Sequence, residues 1–177
     1  LTRWARGAAD NGYILAVPEG GGGPWRYTEA EHDVVLDTLR DLRRRYHADS
    51  DRVYLFGLGE GGKGAFDVGL SHPDLFAGVM PMCAGPMFFP RKYWRNAQYL
   101  PFYVTMGTRV PDFAPANMNQ TALREQFESW VQRGYNALWV EYKGRGTEWL
   151  GGEVDNMFDW MRFQKRSFPL TRLGPDD

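Results

Sequence analysis

The sequence has few of the residues that build compact metal or disulfide sites. Cys83 is the one cysteine among 177 residues, so an internal disulfide framework is excluded. The three histidines, His32, His47 and His72, are too scattered for a zinc-binding motif. We therefore expect neither a metal nor another cofactor.

Charge of one sign and long apolar runs are also missing. The 21 Lys and Arg residues offset 22 Asp and Glu residues, and a net charge of -1 gives no reason to expect nucleic acid or an anionic membrane as partner. No apolar stretch approaches the roughly 20 residues of a membrane-spanning helix. The expected partner is an unidentified small molecule or protein, and the compartment is left open.

The rest of the composition is globular, with 43% hydrophobic and 15% aromatic residues. A chain of 177 residues is long enough for one domain with its own core, and we expect residues 1–177 to form a single domain. The chain begins at Leu1 within a stretch that already has helical character. We expect it to be the C-terminal part of a longer protein, so a missing leader says nothing about export.

Short apolar runs alternate with stretches of helical periodicity. The runs predict strands at residues 13–17, 53–56, 76–82, 102–106 and 137–142, and the first of these is expected to be buried on both faces. Helices are predicted at residues 1–9, from Thr28 through Tyr46, after the glycine cluster as far as Leu70, at 119–133 and at 154–165. Thr28 and Glu31 form a capping-box pattern. This alternation predicts an α/β fold, a three-layer α/β/α sandwich around a mostly parallel sheet.

A glycine-rich turn follows the second predicted strand, and its sequence matches three different motifs in whole or in part. Residues 57–61 have the spacing of the nucleophile elbow G-x-S-x-G, but Gly59 stands where the serine belongs. Gly57, Gly59 and Gly62 match the dinucleotide fingerprint G-x-G-x-x-G. Gly57, Gly62 and Lys63 match most of the phosphate loop, which Gly64 closes without the required hydroxyl. None of the three patterns is specific by itself.

Each of the two nucleotide-binding motifs lacks the acidic residue that it requires elsewhere in the chain. A dinucleotide site needs an acidic residue about 20 positions after its glycines, where this chain reads Val-Met-Pro-Met-Cys over residues 79–83. A phosphate loop needs a strand-borne aspartate for magnesium, and residues 102–106 contain none. A nucleotide binder working through residues 57–62 therefore remains only an alternative.

The chain resembles the α/β-hydrolase superfamily, in particular its esterase, dienelactone-hydrolase and prolyl-oligopeptidase-like branches. Four stretches carry the resemblance: residues 53–62 as strand and elbow, 71–78 as the entry to the next strand, 100–107 as the acid-bearing strand, and 142–149 as the loop after the last strand. The resemblance implies acyl transfer by a serine, an acid and a histidine in that chain order.

All three positions that the resemblance assigns to catalysis depart from the pattern. Gly59 replaces the serine, Val110 replaces the acid, and Thr147 replaces the histidine. Threonine cannot act as a base near neutral pH. Asp112 could replace the acid by a two-residue shift, but it would orient a histidine that is not there. The sequence thus predicts a degenerate hydrolase without serine-hydrolase activity, in a binding or scaffolding role.

The superfamily also implies strands that precede residue 13, one of which inserts between the strands at residues 13–17 and 53–56. The loop after that inserted strand supplies half of the oxyanion hole in the superfamily, so this chain contains only the other half, the backbone N–H of Glu60. Without the inserted strand, either preceding chain fills the gap or the two strands close it directly. An active hydrolase completed by residues outside this chain is therefore an alternative.

A pocket is still expected where the three loops converge. Its candidate residues are Glu60, Asp112 and Glu148, which form either an acidic site for a cation or amine or ordinary pairs with Lys63, Arg109 and Arg145. Residues 85–101 form a long connection rich in aromatic residues, which include Tyr93 and Trp94. We expect these side chains to form either a pocket wall or part of the core.

Overall fold

A computed structural model describes residues 2–19, 23–87, 90–111 and 119–167. At its centre is a parallel four-stranded sheet in which the strands lie side by side in chain order. The strands are β1 (Tyr54–Leu58), β2 (Gly78–Met82), β3 (Phe102–Gly107) and β4 (Ala137–Tyr142). Every residue of β2 and β3 is buried, as a parallel sheet covered on both faces requires.

Five α-helices accompany the strands in the described ranges: α1 (Thr2–Asn11), α2 (Glu29–Arg45), α3 (Glu60–Ser71), α4 (Gln120–Gln132) and α5 (Val154–Met161). The last ends before residue 165, earlier than predicted. At the start of α2, the Glu31 carboxylate accepts the backbone N–H of Thr28 at 3.0 Å, as a capping box requires. None of these helices is both long and apolar enough to cross a membrane.

The helices cover both faces of the sheet. Phe66 of α3 stacks on Phe102 of β3, with ring centroids 5.6 Å apart, whereas the next strand residue, Tyr103, contacts Trp160 of α5 at 5.6 Å. Successive strand residues point to opposite faces. Helices α2 and α3 therefore share one face, and α1 packs beside α5 on the other. The predicted three-layer α/β/α sandwich is confirmed.

Residues 13–17, predicted as a buried strand, form no strand. Ile14 is 50% exposed and Val17 57% exposed, which contradicts burial on both faces. The physical reason is that a strand needs a neighbour for its backbone hydrogen bonds, and this segment does not pair with β1. The two instead border a groove of about 1820 Å³, so they have not closed the gap between them.

The turn from β1 to α3 depends on three glycines. Gly59 has φ 56° and ψ -115°, a backbone conformation that residues with a Cβ rarely adopt. A Cβ on Gly57 would lie 2.0 Å from the Gly61 carbonyl oxygen, and one on Gly62 would lie 2.5 Å from the Cβ of Ala84. The sharp turn and its contact with the chain after β2 therefore leave no room for side chains at these two positions.

We predict that Gly57→Ala lowers the free energy of unfolding by more than about 3 kcal/mol, because the added methyl group meets backbone and not a flexible side chain. Gly61→Ala is the matched control, since a Cβ at Gly61 meets nothing within 4 Å. It should leave stability unchanged or raise it by up to about 1 kcal/mol, because alanine favours helix. Urea unfolding followed by circular dichroism measures both. Equal stability of the two variants would contradict the close approach.

Candidate functional site

The turn at Gly59 and the loop after β4 meet at the carboxyl end of the sheet. The Gly59 N–H donates to the Met82 carbonyl at 3.0 Å, which fixes the turn against the end of β2. A Cβ built on Gly59 would lie 3.9 Å from the Cγ2 atom of Thr147. The structure thus brings together two of the three positions singled out in the sequence, at ordinary van der Waals distance.

The loop after β3 is joined to the loop after β4 by backbone hydrogen bonds. The Arg109 N–H donates to the Arg145 carbonyl at 2.7 Å, and the Thr108 N–H donates to the Tyr142 carbonyl at 3.0 Å. Val110, the third position, follows directly and is only 6% exposed. Its side chain belongs to the hydrophobic core, and Asp112 lies outside the described residues.

Cys83 lies directly after β2, between the turn and the loop after β4. Its Sγ atom is 3.5 Å from the carbonyl oxygens of both Gly146 and Glu148. The residue is 3% exposed, and burial raises the pKa of its thiol. A buried thiol with carbonyl neighbours is a poor nucleophile. Its φ of 49° was not predicted.

Two of the three candidate carboxylates form ordinary surface pairs. Glu60 contacts the Lys63 ammonium and accepts the Trp25 N–H at 2.8 Å. Partial burial alone would raise the pKa of Glu60, but these two donors outweigh it and hold the pKa below its usual value. Glu148 lies 3.5 Å from the Arg145 guanidinium. The alternative of paired, solvated carboxylates accounts for both residues.

The two candidate aromatic residues lie on the 3-10 helix Pro90–Gln98. Trp94 makes an edge contact with Trp130 of α4, with ring centroids 5.0 Å apart, and packs against the core. Tyr93 is 44% exposed. Neither residue lines the groove beside β1. The structure therefore accounts for Trp94 as a packing residue.

Sequence reasoning missed a polar cluster between α2 and α3. The Nε2 atom of His32 lies 2.7 Å from the carboxylate of Asp67, and its Nδ1 atom lies 3.4 Å from Nε2 of His72. The Trp25 indole donates to the same carboxylate at 3.0 Å, and Asp67 is 2% exposed. The sequence showed only that the three histidines are scattered along the chain, and it did not indicate that His32 and His72 approach each other. Asp67 within the apolar stretch of α3 was the available signal.

This cluster does not complete the chemistry of the turn. Its histidines contact each other and Asp67 between α2 and α3, whereas Gly59 faces Thr147. Across the described ranges, no group of three or more His, Cys, Asp or Glu side chains is arranged to hold a metal ion. A phosphate at the start of α3 would also meet the Glu60 carboxylate, which disfavours the nucleotide alternative.

Comparison with solved structures identifies the fold. A thermostable esterase superimposes on 78% of this chain and 38% of its own, with a TM-score of 0.60 and 21% identity. FphF, a fluorophosphonate-binding serine hydrolase of Staphylococcus aureus, superimposes on 90% of this chain and 76% of its own, with a TM-score of 0.68 and 11% identity. The S-formylglutathione hydrolase FrmB of Staphylococcus aureus superimposes on 76% of this chain and 61% of its own, with a TM-score of 0.59 and 12% identity. The chain has the α/β-hydrolase fold, as its sequence indicated.

The likeness is one of fold and not of sequence. No model of a known protein family matches the chain, and no curated protein matches it. The chain spans 38% of the thermostable esterase, 60% of esterase PE8 and 61% of FrmB. Activity and substrates of those whole proteins therefore do not transfer to this chain.

We predict a pH-dependent stability from the His32–Asp67 pair. The hydrogen bond to Asp67 raises the pKa of His32 above its ordinary value, whereas burial followed by repulsion from His32 lowers the pKa of His72. A raised pKa on folding contributes stability that is complete below about pH 6.5 and is lost as pH rises through the folded-state pKa. His32→Gln should therefore cost most near pH 6, roughly 1.5–3 kcal/mol, and less as pH rises above that window.

Chemical unfolding at a series of pH values measures this difference. His47→Gln is the matched control, because His47 is exposed and forms no hydrogen bond with another described residue. The control should follow the parent at every pH. A cost of His32→Gln that stays constant or grows from pH 6 to pH 9 would contradict the charged pair.

Proposed function

We propose that this chain is a catalytically degenerate α/β-hydrolase domain that acts by binding or scaffolding and not by serine hydrolysis. The observation that carries the proposal is the glycine at the tip of the turn. Gly59 adopts the strained conformation that presents a nucleophile, but it has no side chain to present. The adjacent position on the facing loop is Thr147, whose hydroxyl is no base near neutral pH.

The state of the neighbouring groups supports the same proposal. A triad acid must be polar and aimed at its histidine, whereas Val110 is an apolar core residue. Cys83 has a raised pKa and carbonyl neighbours, so it does not substitute for the serine. Glu60 and Glu148 are each paired with a cation of their own loop or helix. No described group beside Gly59 is thus poised for proton transfer.

The main alternative is an active hydrolase whose nucleophile and base come from outside this chain. Such a nucleophile would have to approach the backbone N–H of Glu60, because the turn itself carries no nucleophile. No observation in the described structure favours that arrangement over the simpler one.

We predict that the parent chain hydrolyses p-nitrophenyl acetate no faster than a control protein without a hydrolase fold. Gly59→Ser alone should add little, because an unactivated serine is a weak nucleophile. The triple variant Gly59→Ser, Val110→Asp, Thr147→His should give a burst of nitrophenol that approaches one equivalent. Space exists for the serine, since a Cβ at position 59 meets only Thr147 at 3.9 Å. The positive φ should cost about 1–3 kcal/mol of stability.

The matched control is Gly59→Ala with the same Val110→Asp and Thr147→His changes. It introduces the same backbone strain and the same buried carboxylate without the hydroxyl, so it should show no burst. Circular dichroism establishes that both triple variants are folded. Turnover of the ester by the parent chain, above the control protein, would overturn the proposal.

A further inference from the structure

Three polar side chains in a row connect α2 to α3. His32 of α2 bonds to the Asp67 carboxylate through Nε2 at 2.7 Å, and its Nδ1 atom lies 3.4 Å from Nε2 of His72. Asp67 lies within α3 and is 2% exposed, whereas His72 is the C-terminal cap of α3. None of the three side chains takes part in the proposed function.

The two facing ring nitrogens have room for one proton. A neutral imidazole has one N–H group and one bare nitrogen, whereas an imidazolium has two N–H groups. At a separation of 3.4 Å, one ring must donate and the other must accept. The Asp67 carboxylate contacts His32, so it balances a positive charge on that ring. The favoured arrangement therefore has His32 protonated and His72 neutral.

A second proton disrupts this arrangement. With both rings protonated, N–H groups of two cations face each other, and like charges at this distance repel. The backbone of His72 is fixed at the end of α3, because its N–H donates to the Val68 carbonyl and its carbonyl accepts the Leu75 N–H, both at 3.0 Å. Relief of the repulsion must therefore come from movement of α2.

The surrounding charged groups do not remove the repulsion. Glu31 and Asp33 act on the first ring from α2 itself, and Asp74 acts on the second ring from the exposed loop beyond it. Burial raises the pKa of Tyr27, so the segment before α2 adds only a neutral phenol. Burial, followed by the charge on the first ring, holds the pKa of His72 below its ordinary value. These carboxylates therefore do not compensate for a second proton.

Little else holds the N-terminal half of α2 in place. Leu39 is the one buried residue among the 17 of this helix, and it lies in the C-terminal half. In the N-terminal half, Val34 is 36% exposed, and Val35 and Leu36 are only partly buried against the core. Segments with few buried apolar contacts open at low free-energy cost. The bonds of His32 are therefore the main buried anchor of this half of α2.

We propose that the His32–His72 pair is an acid-sensitive latch between α2 and α3. Proton uptake by His72 releases the N-terminal half of α2, and loss of that proton closes the contact again. Val34 and Val35 line the groove beside β1, so the release moves one wall of that groove. The latch does not depend on the loss of catalysis.

The latch has an acid limit and an alkaline limit. The pKa of His72 is lowered in the closed state, so its contribution is complete above about pH 6.5 and is lost as pH falls from there toward the closed-state pKa. The pKa of His32 is raised, so its contribution is complete below about pH 6.5 and is lost as pH rises through the closed-state pKa. The contact between the two helices is therefore strongest at about pH 6.5.

Native-state hydrogen exchange tests the proposal, with protection factors measured for the amides of Val34, Val35 and Leu36 in α2. Release of half a helix exposes less surface than global unfolding, so exchange at these amides should depend on urea less steeply than exchange at Phe127 in α4. The same urea dependence in both helices would show that α2 opens only when the whole chain unfolds, and would overturn the latch.

His72→Gln removes the ring that takes up the second proton, while its amide oxygen can still accept from His32. The ratio of α2 protection in this variant to that in the parent should rise about tenfold from pH 7 to pH 5. His47→Gln is the matched control, because His47 is exposed, and its ratio should stay constant. A constant ratio for His72→Gln would overturn the proposal.

An NMR titration of the His72 ring in the parent chain gives a second measurement that needs no variant. Its midpoint should lie below the ordinary histidine value of about 6.5, and protection of the α2 amides should decline over the same pH range. A midpoint at or above the ordinary value would contradict the latch, because His72 would then take up its proton without a cost to the closed state.

Discussion

The close approach of β1 to the first turn of α3 is the constraint on which the rest of this site depends. Gly57 and Gly62 have no room for a Cβ because backbone and Ala84 occupy that space. The tight turn forces Gly59 to a positive φ, and the Gly59 N–H is held by the end of β2. The loops carrying Val110 and Thr147 are placed relative to that turn by strand order and by their shared hydrogen bonds.

Under the proposed function, the hydrolase fold is kept while Gly59, Val110 and Thr147 stand at the three positions that the resemblance assigns to catalysis. Packing and backbone hydrogen bonds define the positions of the three loops, and none of these interactions requires a serine, an acid or a histidine. The charges that remain are paired locally, as Glu60 is with Lys63 and Glu148 with Arg145. Exposed pairs of this kind contribute little to stability. This local pairing supports the proposed binding or scaffolding role.

The sequence predicted what depends on local pattern. Apolar runs bounded by glycines and caps located all four strands and the five helices, and the spacing of Gly57, Gly59 and Gly62 located the turn. Residues 13–17 were wrongly predicted as a strand, because a strand depends on a neighbour that a local pattern cannot supply. The His32–Asp67–His72 cluster could not be predicted either. Its members lie on separate elements, and only the packing of α2 on α3 brings them together.

The most direct test of the central claim is covalent labelling by a fluorophosphonate, which reacts with activated serines, followed by mass mapping of the labelled peptide. The reagent should be applied to the protein as it occurs in its native source, so that any preceding chain is included. Degenerate catalysis predicts no phosphonate adduct on any residue of this chain. An adduct on a serine of this chain, lost when the protein is denatured before labelling, would contradict the account.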